Sequence, residues 1–115
     1  MKVFVYGTLL KGEGNHRLLE NSKFVGKDSV IGFKIYNLGY FPACVPSEEY
    51  PCVVFGEVYE ISNETLSSLD RLEGYPRIYN RKEVNTFSGH TAFIYYMDTT
   101  RNYNDEIKSG DWLLR

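Results

Sequence analysis

The sequence predicts an α+β fold built around a curled or closed sheet. Three observations carry that expectation. β-Branched and aromatic residues gather in several short runs, and aromatics are abundant, with 10 Tyr, 7 Phe and 1 Trp. Only one segment keeps a helical period over several turns. Long alternating strand and helix units, the signature of a doubly wound parallel sheet, are absent.

The elements follow in chain order. Lys2 to Tyr6 is β-branched and aromatic, a first strand that ends at Gly7. A glycine-punctuated loop runs on through Gly12 and Gly14, and Asn15 is placed to cap a short helix from His16 to Glu20. Residues 23–39 are apolar and aromatic but broken by Gly26, Gly32 and Gly39, which predicts two strands or one bent strand. Phe41 to Pro51, with its prolines, reads as loop. Val53 to Ile61 alternates as a strand, and Ser62 or Asn63 then caps the clearest helix, Glu64 to about Glu73. Tyr79 to Phe87 and Thr91 to Met97, joined at Ser88-Gly89, have hairpin spacing. The polar tail ends in Trp112-Leu113-Leu114, whose apolar side chains are expected to dock on the body. Tyr36, Tyr40, Tyr95 and Tyr96 are expected in the sheet.

At 115 residues the chain has the length of one domain, 1–115, able to bury a core without disulfides or metal. Hydrophobic residues make up 43% and charged residues 24%, with a formal charge of −2. That balance argues against nucleic acid as a partner, which would call for a basic excess. No run is long enough for a membrane span or an export signal, so cytoplasm is the expected location. Cys44 and Cys52 lack CxxC spacing and are read as reduced thiols. His16 and His90 lie far apart with no metal-ligand spacing. Asn63-Glu64-Thr65 matches a glycosylation sequon, but a helix cap explains it better without secretion.

Two places can carry chemistry. Gly7 to Gly12 has the outline of a phosphate loop, yet Glu13 and Gly14 stand where Lys and Ser or Thr would be needed. Gly12-Glu13-Gly14 lacks the third glycine of a dinucleotide turn, because Arg17 stands there. What remains is a strand ending in Tyr6-Gly7-Thr8-Leu9, whose successive N–H groups can hold a carboxylate or a developing oxyanion. The plainer alternative is a turn that binds nothing. The second place is the helix, where Leu66, Leu69 and Glu73 share one narrow face and Asp70 sits at its margin. A carboxylate facing inward at a helix C-terminus should have a raised pKa, the condition for taking and returning protons near neutrality. The alternative is a surface ion pair of Glu73 with Arg71, Arg77 or Arg81. Tyr75, Tyr79 and Arg81 follow closely enough to line a pocket.

Two segments, in this order, resemble the γ-glutamyl cyclotransferase-like (AIG2-like) family. The first is Phe4 to Leu9 continuing to Asn15-His16 and Leu19; the second is Leu69-Asp70, Glu73, Pro76, Tyr79 and Arg81. Between them, Gly56-Glu57-Val58-Tyr59 matches the family's strand before its helix. The branch most similar is γ-glutamylamine cyclotransferase and its bacterial relatives. The resemblance implies a small mixed β-barrel with a few short flanking helices. It implies release of an amine and 5-oxoproline from a γ-glutamyl amine or peptide, a small-molecule substrate, with no metal or cofactor. Glu73 would be the catalytic acid–base, and Tyr6, Gly7, Thr8, Leu9 and Tyr79 would bind substrate. A non-catalytic carboxylate-binding protein using the same cavity is the alternative, and a structural or interaction domain a third.

Overall fold

In the computed structural model, residues 1–98 and 102–115 are described. The strands are β1 Lys2–Val5, β2 Lys23–Ile31, β3 Phe33–Asn37, β4 Pro42–Pro46, β5 Val53–Glu60, β6 Asn80–Asn85 and β7 Thr91–Tyr96, with one α-helix, α1, Asn63–Glu73. Five strands form one sheet in the order β2-β5-β1-β7-β6, and β3 pairs with β4 in a second, two-stranded sheet. β1 is therefore central, antiparallel to β5 and parallel to β7. Its residues Val3, Phe4 and Val5 are buried, as the β-branched and aromatic run predicts.

The expected barrel is not what forms. β2 and β6 remain the two edges of an open sheet. The sheet nevertheless curls, because the turn after β6 reaches the far edge: Phe87 N–H donates to Ser29 O at 2.8 Å and Ser88 N–H to Asp28 Oδ1 at 3.0 Å. A turn meets β2 where a closed barrel would need a strand, so no ladder seals the seam. The architecture is mixed α+β, with a single α-helix among the described residues.

Residues 23–39 resolve into two strands at Gly32, whose φ of 86° lets the chain leave the large sheet and start the small one. Phe41 to Pro51, expected as loop, contains β4. Its prolines lie at the two strand ends, where the two-stranded sheet tolerates missing donors. Tyr40 lies outside the strands and is 95% exposed, whereas Tyr36, Tyr95 and Tyr96 are strand residues. The short helix is a 3₁₀ turn, His16–Leu19, and Asn15 makes no side-chain cap bond to it.

α1 starts where Ser62 Oγ accepts the Thr65 N–H at 3.1 Å. It buries Leu69 and ends at Gly74, whose φ of 65° is left-handed. There Tyr75 N–H reaches back to Asp70 O at 2.9 Å and Gly74 N–H to Arg71 O at 3.3 Å, the paired bonds of a Schellman turn. At the chain's tail only part of the expected docking occurs: Trp112 is buried, but Leu113 and Leu114 are exposed. The Trp112 indole N–H donates to Glu13 Oε1 at 2.8 Å, tying the tail to the loop after β1. Cys44 and Cys52 are free, buried thiols. No described helix is long and apolar enough to cross a membrane.

Candidate active site

The loop after β1 is held by its carbonyls. Leu10 N–H donates to Gly7 O at 3.0 Å and Asn15 N–H to Thr8 O at 2.9 Å. His16 Nδ1 lies 2.9 Å from Leu9 O, so that ring nitrogen carries the hydrogen. The Lys11 N–H donates to Oε1 of the buried Glu57 at 3.0 Å, a bond that fixes the loop's far side. The N–H groups of Gly7, Thr8 and Leu9 find no acceptor among the described residues. The loop thus spends its carbonyls on internal bonds and leaves a set of N–H donors without acceptors among the described residues, the polarity an anion needs.

Gly7 is required here by contact. A Cβ on it would lie 2.4 Å from Pro42 Cγ, closer than side-chain atoms approach. Pro42 in turn accepts a hydrogen bond at its carbonyl from Tyr79 Oη, 2.6 Å away. The start of β4 is therefore clamped between the loop and the segment after α1. Thr8 is oriented by Asn15, whose Nδ2 donates to Thr8 Oγ1 at 3.0 Å.

From the other side comes Glu73, the last residue of α1. The Schellman turn after it redirects the chain so that Glu73 O accepts the Tyr79 N–H at 3.2 Å. Its carboxyl is half-buried and accepts no hydrogen bond from a described residue. Burial pushes its pKa from an ordinary 4.5 up to about 7. No ion pair joins it to Arg71, Arg77 or Arg81 among the described residues, so the surface-pair alternative does not hold.

Arg81 is engaged elsewhere. Its Nε and Nη2 donate to the two carboxylate oxygens of Asp70 at 2.8 and 3.1 Å, and Tyr95 Oη donates to Asp70 Oδ1 at 2.7 Å. The guanidinium stacks 4.3 Å from the Tyr75 ring centroid and 4.9 Å from that of Phe93. Burial opposes the charge on Asp70, but Arg81 and Tyr95 outweigh it and hold the carboxyl below its usual range. This bidentate pair anchors the end of α1 to β6 and β7, one turn before Glu73. Asp70 thus acts on the placement of Glu73.

Loop and helix end face a common cavity of about 310 Å³, the size of a small-ligand site. Tyr6, Gly7, Thr8, Leu9, Glu73 and Tyr79 all line it. Tyr75 and Arg81 do not, and His16 lies outside it, supporting Leu9 from behind. Asn15, Phe41, Pro42, Leu72, Ile78 and Tyr95 also line it, and no sequence signal singles them out for that role. Asn15 reads as a cap and Phe41-Pro42 as loop; neither pattern reveals what the chain packs against in space.

The phenols in the wall are already bonded to protein. Tyr6 Oη donates to Tyr95 O at 2.7 Å and accepts the Cys44 N–H at 3.1 Å, while Tyr79 and Tyr95 donate to Pro42 O and Asp70. Burial raises the pKa of all three, so they stay neutral and present ring surface. Apart from these phenols, the polar side chains in the lining are Thr8, Asn15 and Glu73. No group of three or more His, Cys, Asp or Glu is placed to hold a metal ion among the described residues.

Comparison with known proteins places this arrangement in context. The family model described as gamma-glutamyl cyclotransferase, AIG2-like, matches residues 3–114. The gamma-glutamylcyclotransferase family protein YtfP of Escherichia coli K12 is 36% identical over 115 residues, covering 100% of this chain and 98% of that one. An uncharacterized protein from Pyrococcus horikoshii superposes with a TM-score of 0.81 at 33% identity, over 97% of this chain and 89% of that one. An AIG2-like protein from Mus musculus gives a TM-score of 0.76 at 26% identity, over 91% of this chain and 86% of that one.

Proposed function

Because the chain belongs to the gamma-glutamyl cyclotransferase, AIG2-like family, we propose that it releases an amine and 5-oxoproline from a γ-glutamyl amine or γ-glutamyl peptide. The observation that carries this reading is one cavity holding a neutral-range carboxyl, Glu73, and the free amides of Gly7, Thr8 and Leu9.

The steps follow from those groups. The substrate's α-amine attacks its own γ-carbonyl, forming the ring C–N bond; the γ-amide C–N bond then breaks. Both partners belong to one molecule, so folding the substrate correctly supplies much of the acceleration. Glu73 takes a proton from the attacking amine and gives it to the departing one. With a pKa near 7 it can do both at neutral pH. The amides of Gly7, Thr8 and Leu9 hold the substrate carboxylate or the oxyanion that develops on the carbonyl. Tyr6 and Tyr79 shape the wall with their rings. The rearrangement is redox-neutral and intramolecular, so these steps call on no cofactor.

The test is 5-oxoproline release from γ-glutamyl-ε-lysine and a set of γ-glutamyl dipeptides, by wild type and by Glu73→Gln. Turnover that falls in the variant by on the order of a hundredfold or more supports the reading. No 5-oxoproline from any compound, or an unchanged rate in the variant, overturns it. Calorimetric binding of small dicarboxylates with no turnover would assign the cavity to carboxylate binding instead.

A further inference from the structure

The proposed reaction leaves the departing amine unspecified, and the cavity mouth bears on it. Apart from the bonded phenols, every polar side chain in the lining belongs to the loop after β1 or is Glu73, and these are the groups the glutamyl portion requires. The other lining side chains are apolar. Phe41, Leu72 and Ile78 line the cavity while remaining 42%, 39% and 64% exposed, so they stand at its opening. Glu73 is the one charged side chain in the lining among the described residues, and Leu72 is its chain neighbour. Large apolar side chains left in water around one opening mark a surface that something covers. The bond that breaks must lie against Glu73, so the group beyond it projects over this rim.

We propose that the leaving amine carries an uncharged, apolar substituent, aliphatic or aromatic, which packs on Phe41, Leu72 and Ile78. The inference rests on the cyclotransferase reading and narrows its substrate class. An amino-acid leaving group would set an ionised carboxylate or ammonium over these three hydrocarbon side chains, which offer it no hydrogen bond. An alkyl or benzyl amine would instead cover hydrocarbon that is now wet. As the γ-amide C–N bond breaks, the amine departs with the proton that Glu73 returns to it, and its substituent leaves through the mouth.

The experiment compares kcat/KM for γ-glutamyl-isopentylamide and γ-glutamyl-benzylamide with that for γ-glutamyl-ε-lysine and γ-glutamylglycine. Wild type should favour the apolar pair by on the order of tenfold, about what one well-packed methylene is worth in a hydrophobic pocket. The ratio between the two classes should shrink several-fold in Ile78→Ser and, independently, in Phe41→Ser. Equal or better turnover of the charged pair overturns the inference while leaving the cyclotransferase reading intact. An unchanged ratio in both folded variants also overturns it. If none of the four compounds gives 5-oxoproline, the underlying reading falls and this inference with it.

Discussion

Replacing Glu73 by Gln should make the protein more stable while removing its activity. In the folded chain the carboxyl has been moved from an ordinary 4.5 to about 7 by burial. At about 1.36 kcal/mol for each tenfold change in proton affinity, holding that group charged above neutrality costs the fold at most about 3 kcal/mol. Because the folded value is the higher one, the favourable contribution is complete below about pH 4.5 and is lost as pH rises through about 7. Gln keeps the shape and never ionises. Glu73→Gln should therefore exceed wild type by up to about 3 kcal/mol at pH 8.5, a rise in Tm on the order of 10 °C for a chain this size. The two proteins should converge near pH 4. Urea unfolding of both at pH 4, 6 and 8.5 measures this directly. In wild type, kcat/KM for 5-oxoproline release should fall about tenfold for each pH unit below about 7, as the base becomes protonated. Equal stability of the two proteins at all three pH values would refute the reasoning. So would an activity midpoint near 4.5, since either result means the carboxyl is fully solvated.

Two further substitutions probe the supports of the site. Gly7→Ala places a methyl group 2.4 Å from Pro42 Cγ; it should cost about 1–3 kcal/mol by overpacking, measured by urea unfolding, and raise KM by shifting the loop amides. Asp70→Asn removes the charge pairing with Arg81 and puts an amide N–H₂ where Oδ2 accepts from Arg81 Nη2, while its Oδ1 can still accept from Tyr95; it should cost about 1–3 kcal/mol at pH 7. Because the folded Asp70 carboxyl lies below its ordinary 3.8, that difference should shrink as pH falls under about 3.8. The variant should also lower kcat more than it raises KM, since it loosens the helix end that carries Glu73.

Glu73 is legible in the sequence because a helix writes its buried face at fixed spacing, and the spacing of Leu66 and Leu69 is enough to define that face. Gly7 is legible as the turn that ends β1, but its contact with the Pro42 ring is not. That contact joins residues far apart in sequence and leaves no local pattern. The same holds for Asn15, whose side chain turns to Thr8 when it could have capped the 3₁₀ turn beside it. β4 is hidden by its prolines, which local propensity scores as breakers although the ends of a two-stranded sheet accept them. Arg81 illustrates the limit for charges: sequence offers it two carboxylates, Asp70 and Glu73, and only packing decides that Asp70 receives it. The open seam of the sheet is likewise a matter of register between its edges, which alternation within single strands does not encode.

The central place of β1 has a consequence for how the protein is made. Its two neighbours are β5 and β7, so β1 leaves the ribosome well before either partner and has no strand to pair with until β5 has followed it. Val3, Phe4 and Val5 must wait, unpaired and apolar, until Val53–Glu60 has been synthesised. During that interval the nascent segment is a target for chaperones and for other unpaired strands. The loop that follows it waits longer still, because its tie to Trp112 exists only once translation has passed that residue.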